Sequence, residues 1–409
     1  MGNRLSKPTN HLELYLNDVF KRECLFETHV ADNEVEFIQT GIETLVQRIA
    51  DQVLADHDVK EKIKMVAEEL GIVIETPGPT NVLKVGSFYE GTKNKFPDEF
   101  DFTLVLGCLT GDMAQHASDV YMICFLADIY IPIEEVCKYS KYNGQTLVYT
   151  GSKCEAISEE QKLFFDWTVE RNAPAINLKF IYQRGLEEMQ PILVDLVPAV
   201  RCFDPHLIEN IHTICFFEPF CEEVRKTGNI LFVSNKFSFT ETEVYFMKHV
   251  LSKNHKKVYR VLKYIINGHG DDEKLRIHLP TKAVVRDDGI DVYSTEVYSS
   301  YMIKIMIIHH HYLCSNDNKT EIGPCILQVL NDLCKYKNIK TFPFLTTSTK
   351  IFPHKFRLLP YLEHLAEYLQ SMRAQNGVYD YEKERLNNSV SKQCADDFNF
   401  EFGDSDDYM

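Results

Sequence analysis

Apolar residues first recur at helical spacing: Val35, Ile38, Ile42, Leu45, Ile49 and Val53 predict a long amphipathic helix, with Asn33 and Glu36 placed as its cap and N3 partner. Val59, Ile63, Val66 and Leu70 predict a second helix, with Gly71 where a left-handed C-cap is needed. From about Gly71 to Ala199 the pattern changes to short β-type runs, among them Phe100 to Leu106, Ala175 to Tyr182 and Ile192 to Val197, which read as a mixed sheet. Helical spacing returns from about Glu241, through Val244, Met247 and Val250 or Leu251, then Val258, Val261, Leu262 and Ile265, then Tyr298 to Tyr312. The expected fold is α+β and bilobal. Residues 1–32 form an N-terminal segment, 33–235 a core with a spine helix, 236–378 a helical C-terminal lobe and 379–409 a disordered tail. With no internal repeat and no Gly/Ser linker, the halves are expected to pack around a ligand-binding cleft.

Charge narrows the partners. A net charge of -16 over 409 residues argues against a surface that attracts nucleic acid everywhere. A local basic face survives this, because charges decouple beyond about 8 Å at physiological salt. Part of the excess lies in the tail, at Asp396, Asp397, Glu401, Asp404, Asp406 and Asp407. The 12 cysteines include no C-x-x-C pair and read as reduced, mostly buried thiols. His212, Cys215 and Cys221 come nearest to a metal cluster and read as core residues, so no structural zinc is expected. Apolar runs such as Tyr301 to Ile308 are too short to span a bilayer, and no charged leader precedes an apolar segment, so a cytoplasmic protein is expected. Met1-Gly2-Asn3-Arg4-Leu5-Ser6 fits the pattern for N-myristoylation of Gly2. One acyl chain there would hold a membrane only weakly and reversibly.

Candidate chemistry sits in the β region. Val85-Gly86-Ser87-Phe88-Tyr89-Glu90-Gly91 is followed, after a polar loop, by Glu99-Phe100-Asp101 at the start of an apolar run. Strand alternation puts Glu99 and Asp101 on one face. Asp195 stands alone in the apolar run Ile192 to Val197, where an unpaired charge is costly, so three acids on adjacent strands call for a cation. Two Mg²⁺ or Mn²⁺ ions held by such acids, about 4 Å apart, activate an attacking hydroxyl and stabilise leaving pyrophosphate. Gly86 lets backbone approach a phosphate, and Ser87 with neighbouring amides can bind a triphosphate. Taken singly, a Gly-Ser turn, a Glu-x-Asp strand edge and an Asp before Leu-Val-Pro are more often structural. Their order and β-type settings favour a metal-dependent nucleotidyltransferase.

At these residues the sequence resembles the cyclic GMP-AMP synthase-like receptors, a branch of the template-independent nucleotidyltransferases, in their invertebrate-type form. The likeness is close at Gly86 to Gly91, Asp98 to Asp101, Ala173-Pro174-Ala175 and Val194 to Ala199, extends weakly into the helical half, and covers roughly residues 33 to 370. It implies a bilobal nucleotidyltransferase fold that converts ATP and GTP to a cyclic dinucleotide, with cyclic GMP-AMP the expected product, as a second messenger of innate immune and antiviral signalling. The segment Lys236 to Glu243 looks like part of that family's nucleotide pocket, with Lys236 where the family has Arg, a change that removes a bidentate fork. Thr240 and Glu243 also fit a capping box. By the same resemblance Lys263, Ser300 and Lys304 hold triphosphate and Tyr301 stacks on a base; Tyr301 and Lys304 lie one helical turn apart. For Lys263 a solvated helix face shared with Lys256 and Arg260 is an equal reading.

The zinc insertion of vertebrate DNA-sensing members would fall between Glu243 and Lys263, a stretch that has His249 and His255 and no cysteine. Double-stranded RNA is therefore the expected activator, contacted by Lys253, His255, Lys256, Lys257 and Arg260 through phosphates and 2′-hydroxyls. The bland reading of these five is an exposed loop and helix start. The family likeness also allows a ligand-induced dimer. Two alternatives compete: a catalytically inactive scaffold or developmental protein of the same fold, which has no need of three acids, and a linear oligonucleotide synthase, which uses the same ones.

Overall fold

The computed structural model describes residues 10–26, 30–70, 73–75, 82–110, 120–140, 146–151, 161–172, 175–185, 188–233, 236–267, 281–285, 291–295, 300–314, 321–336, 342–343, 345, 359–374 and 380. Gly2, Gly71 and the acidic tail apart from Asp380 lie outside them. The chain divides into two compact units, one of residues 29–250 with 345–349, the other of 1–28, 251–344 and 350–409. The first helix, α1 (His11–Glu23), belongs to the second unit.

The first unit runs α2 (Asp32–Ala55), α3 (His57–Leu70), β1 (Val73–Glu75), β2 (Val82–Val85), α4 (Gly86–Tyr89), β3 (Glu99–Thr110), α5 (Val120–Tyr139), β4 (Val148–Tyr149), β5 (Gln161–Asn172), β6 (Ala175–Arg184) and β7 (Glu188–Phe203). It continues through α6 (Pro205–Glu209), α7 (Glu218–Thr227), β8 (Ile230–Val233), β9 (Lys236–Ser238) and α8 (Thr240–Tyr245), followed by a π-helical turn, Phe246–Val250.

The predicted spine helix is α2, and it buries Ile38, Ile42, Leu45, Ile49 and Val53 completely. Each such aliphatic side chain contributes about 1.5–3 kcal/mol of burial. Its start differs from expectation. The N-cap is Ala31, without a side-chain cap bond, and the Glu34 and Val35 amides donate to the Ala31 carbonyl. Asn33 thus lies inside the first turn and Glu36 just past it, while Asp32 and Glu34 complement the helix dipole. A Cβ on Gly41 would lie 2.7 Å from Tyr149 Cδ1 and 2.8 Å from Leu163 Cδ2, so the glycine lets α2 lie close against β4 and β5.

Beneath α2 the described strands form a nine-stranded mixed sheet of order β1-β3-β7-β6-β5-β4, with β2 also on β3 and β8-β9 extending from β7. β3 and β7 are parallel, while β6 is antiparallel to β7. Along β7 Ile192, Val194 and Leu196 are buried, and along β3 Phe100 and Phe102 are buried. The intervening positions face the other way.

The second unit consists of α1, α9 (Lys253–Asn267), the hairpin β10 (Thr281–Val285) and β11 (Asp291–Thr295), α10 (Ser300–Leu313), α11 (Gly323–Cys334) and α12 (Leu359–Ala374). The Glu13 carboxylate of α1 accepts from the Ile322 amide at 3.1 Å and the Gly323 amide at 2.5 Å, capping α11 from a segment more than 300 residues earlier. No helix among the described residues is long and apolar enough to cross a membrane.

Candidate active site

Strand register assembles the acids. Asp101 of β3 stands directly opposite Asp195 of β7, and Asp195 opposite Asn177 of β6. Glu99, two residues before Asp101, shares its face. The result is a polar row, Asp101–Asp195–Asn177, across three strands whose other face is apolar core. Asn177 was not legible as a site residue because it sits singly in a strand-forming run; only the register shows its partner. Its side-chain amide donates to Asp195 Oδ1.

The Gly86 turn is held against the same row. β2 pairs antiparallel with β3, setting Val85 opposite Asp101, so the chain leaves the strand beside that carboxylate. Gly86 has φ +76°, and an added Cβ would lie 1.8 Å from Asp101 Oδ2. Both the backbone conformation and the space therefore require glycine. Ser87 follows in the single turn α4, its carbonyl accepting from the Thr92 amide at 2.8 Å and the Thr92 hydroxyl at 3.2 Å. The Phe88 ring packs 4.5 Å from that of Phe100, tying the turn to the core side of β3.

Electrostatically the row is acidic and partly shielded from water. Burial raises the pKa of Asp195 above the usual carboxylate value; the Asn177 hydrogen bond pulls it back and the charge of Glu99 pushes it further up. Lys93 Nζ lies 2.7 Å from Glu99 Oε2 and 2.9 Å from Asp98 Oδ1. Burial draws the Lys93 pKa down, but Glu99 and Asp98 outweigh it, so the ammonium is held charged. Lys93 is a second site residue that the sequence pattern did not reveal. Three carboxylates converging on one face, one with its charge disfavoured by burial, form a donor set suited to hard divalent cations such as Mg²⁺ or Mn²⁺.

The segment expected to complete the pocket in this unit lies nearby. Glu243 is buried on α8, which packs against α4 and β2, while Lys236 is exposed at the start of β9. The Thr240–Glu243 capping box does not form: Phe239 is the N-cap, no side chain caps α8, and the Thr240 hydroxyl pairs with that of Ser238 at 2.5 Å.

Lys263, Ser300, Tyr301 and Lys304 belong to the helical unit. Lys263 Nζ lies 5.5 Å from the Tyr259 ring centroid, and the Tyr259 hydroxyl donates to the Ser300 carbonyl at 3.1 Å. Lys304 Nζ lies 5.4 Å from the Tyr301 ring centroid on the same face of α10.

The expected nucleic-acid face needs correction. His255 is 0% exposed and cannot meet a phosphate; its Nδ1 lies 2.9 Å from His311 Nδ1. Its place on the buried side of an amphipathic helix was hidden by the lysines around it. Lys257 donates to Asn17 Oδ1 and lies 4.9 Å from the Phe20 ring, over which Arg260 also sits at 5.6 Å. These two cations pack on α1 of their own unit. Lys253 is exposed and Lys256 half-buried; burial and Lys253 lower the Lys256 pKa. Of the three residues expected in the core near here, Cys215 and Cys221 are buried, whereas His212 is exposed on a single 3-10 turn.

No family model matches the chain, and no curated protein matches it. Among solved structures it is similar to CdnC in a CdnC:HORMA-deltaN complex from E. coli MS115-1, with a TM-score of 0.43 and 8% identity over 95% of this chain and 98% of that one. It is also similar to the CdnE cyclic dinucleotide synthase of Elizabethkingia meningoseptica with GTP and Apcpp, with a TM-score of 0.35 and 13% identity over 76% and 90%. A third is the CdnE c-UMP-AMP synthase of Rhodothermus marinus with Apcpp and Upnpp, with a TM-score of 0.28 and 12% identity over 90% and 99%.

Proposed function

We propose that this chain is a metal-dependent nucleotidyltransferase that joins ATP and GTP into cyclic GMP-AMP, a second messenger of innate immune signalling, when double-stranded RNA activates it. The observation that carries the catalytic part is the register of Asp101 against Asp195, with Glu99 on the same face and Gly86 fitted to Asp101. Glu99, Asp101 and Asp195 hold Mg²⁺ or Mn²⁺, which supplies charge neutralisation at the phosphates. Asp195, whose pKa burial has raised, accepts the proton of the incoming ribose hydroxyl. Asn177 fixes the orientation of that carboxylate. Gly86 and Ser87 bring backbone and a hydroxyl to the triphosphate. Lys263, Ser300 and Lys304 bind phosphates, Tyr301 stacks on a base, and Lys236 with Glu243 completes the pocket. The cyclic product and these roles are supported by the resemblance at Gly86 to Gly91, Asp98 to Asp101 and Val194 to Ala199. The activator contacts are Lys253 and Lys256, with Lys257 and Arg260 adding charge behind them.

The test is incubation of labelled ATP and GTP with the full chain and Mg²⁺ or Mn²⁺, with and without double-stranded RNA, followed by chromatography of the products. A cyclic dinucleotide that appears with RNA and disappears in the Glu99→Ala/Asp101→Ala double variant is the expected result. A linear ladder would point to oligonucleotide synthesis. Absence of product under every activator would favour an inactive scaffold, and synthesis by the double variant would overturn the assignment of the acids.

A further inference from the structure

In the helical unit, far from the carboxylate row in sequence, four side chains with the chemistry of soft-metal ligands converge. His255 lies near the start of α9, His310 and Cys314 lie four residues apart at the end of α10, and Cys325 lies in the first turn of α11. One ligand atom from each can be chosen so that all four lie within 4.8 Å of one another. We propose that His255, His310, Cys314 and Cys325 form a tetrahedral metal site whose resident ion is zinc.

Distances decide between this and ordinary core packing. Zinc binds thiolate at about 2.3 Å and imidazole at about 2.0–2.1 Å, so a tetrahedron has edges of about 3.8 Å between two sulfurs and about 3.6 Å between sulfur and nitrogen. Cys314 Sγ lies 3.8 Å from Cys325 Sγ, and Cys325 Sγ lies 3.8 Å from His255 Nε2. A disulfide would bring the sulfurs to about 2.05 Å, and neither cysteine is in one. Two nitrogens and two thiolates are a closed structural set for zinc, and hard ions such as Mg²⁺ are poorly served by it.

The surroundings fit. His255 presents Nε2 to the cluster because its Nδ1 is engaged with His311 Nδ1 at 2.9 Å, the outer hydrogen bond that orients a ligating imidazole. His310 is buried, and its Nε2 has no hydrogen-bond partner among the described residues. A cavity of about 600 Å³ lined by His310, Cys314, Cys325, Gln328 and Asp332 reaches the group and offers an entry path.

The expectation of no structural zinc rested on His212, Cys215 and Cys221 and on the lack of cysteine between Glu243 and Lys263. Three of these four ligands lie beyond residue 300, so only the packing of α9, α10 and α11 brings them to His255. An ion there would pin those helices together, including α10, whose first turns carry Ser300, Tyr301 and Lys304.

The test is the metal content of the full chain, purified without chelator from zinc-supplemented cells and measured by mass spectrometry. About one zinc per chain is expected to survive gel filtration, falling below about one tenth in Cys314→Ser/Cys325→Ser. Cys215→Ser/Cys221→Ser and the Glu99→Ala/Asp101→Ala variant should both keep it. Should the first variant not fold, the wild-type chain stripped by chelator and titrated with Co²⁺ should show thiolate-to-cobalt charge-transfer absorption, displaced by Zn²⁺. Zinc-free wild-type protein without those bands, a Cys314–Cys325 disulfide in its place, or undiminished zinc in a folded Cys314→Ser/Cys325→Ser variant would each overturn the proposal.

Discussion

Replacing Gly86 and Gly91 separately by alanine should separate the backbone role of a left-handed glycine from its role at the carboxylates. Both have positive φ, +76° and +71°, so an L residue at either costs about 1–2 kcal/mol of folding stability. Their surroundings differ. A Cβ at Gly91 meets nothing within 4 Å, whereas at Gly86 it would lie 1.8, 2.4 and 2.6 Å from Asp101 Oδ2, Cγ and Cβ. Real Cβ contacts essentially never fall under 3.0 Å, so Asp101 would have to retreat by at least about 1.2 Å, the difference between 3.0 and 1.8 Å. Misplacing a group at the reaction centre by about 1 Å costs on the order of 10²-fold in rate. Urea denaturation should therefore show a loss in both variants, the larger in Gly86→Ala, where Asp101 Cβ cannot rotate out of the way. Pyrophosphate release from ATP and GTP should fall by on the order of 10²-fold in Gly86→Ala alone, with weaker Mn²⁺ binding by calorimetry. Equal activities in the two folded variants would refute the close fit of Gly86 to Asp101.

Asp195→Asn should abolish turnover while leaving thermal stability of the metal-free chain unchanged or raised. Because the folded pKa is raised above 3.8, this group favours the fold only at low pH, and that contribution is lost as pH rises through the folded value. At neutral pH the ionised carboxylate is a cost that the amide removes, so a clear drop in melting temperature at pH 7 would count against it. Asn177→Ala removes the hydrogen bond that lowers the Asp195 pKa, and should weaken Mn²⁺ binding by about 10–100-fold and move its onset to higher pH. An unchanged binding isotherm across pH would show that Asn177 is only packing. On the basic face, Lys253→Glu/Lys256→Glu should weaken double-stranded RNA binding and flatten its salt dependence by roughly one to two units of slope without lowering the melting temperature. Lys257→Glu should lower it, because that ammonium bonds Asn17 and sits over Phe20. Filter binding over a salt series, with calorimetry on the same proteins, reads both effects.

Where one periodicity dominates, the elements were legible. The apolar positions of α2 all point one way, so Ile38 to Val53 gave the spine helix directly, and the β-type runs around Phe100, Ala175 and Ile192 lie in β3, β6 and β7. Ends were less legible. Asn33 and Glu36 have the residue types of a cap and its partner, yet the helix begins at Asp32 because Ala31 already takes the extended cap conformation. The hairpin β10-β11 interrupts a half that otherwise reads as helical. Gly41 gave no local signal either, since its reason for being glycine is two side chains, Tyr149 and Leu163, more than 100 residues away.

The carboxylates were legible for a different reason: each is an anion in an apolar strand, a setting whose cost implies a compensating charge. Which polar residues share their row depends on register, because a one-residue slip of β6 against β7 would turn Asn177 away from Asp195 and set a buried apolar residue there instead. Composition cannot report that choice; His255, three residues before Val258 and seven before Leu262, shares the apolar face of α9, while its cationic neighbours Lys253 and Lys256 do not. His255 shows the consequence most sharply. Read along the chain it belongs to a cationic stretch; in the folded unit its neighbours are His310, Cys314 and Cys325 from two other helices. The same residue therefore moves from an expected phosphate contact to a proposed metal ligand, and the basic face contracts toward Lys253 and Lys256.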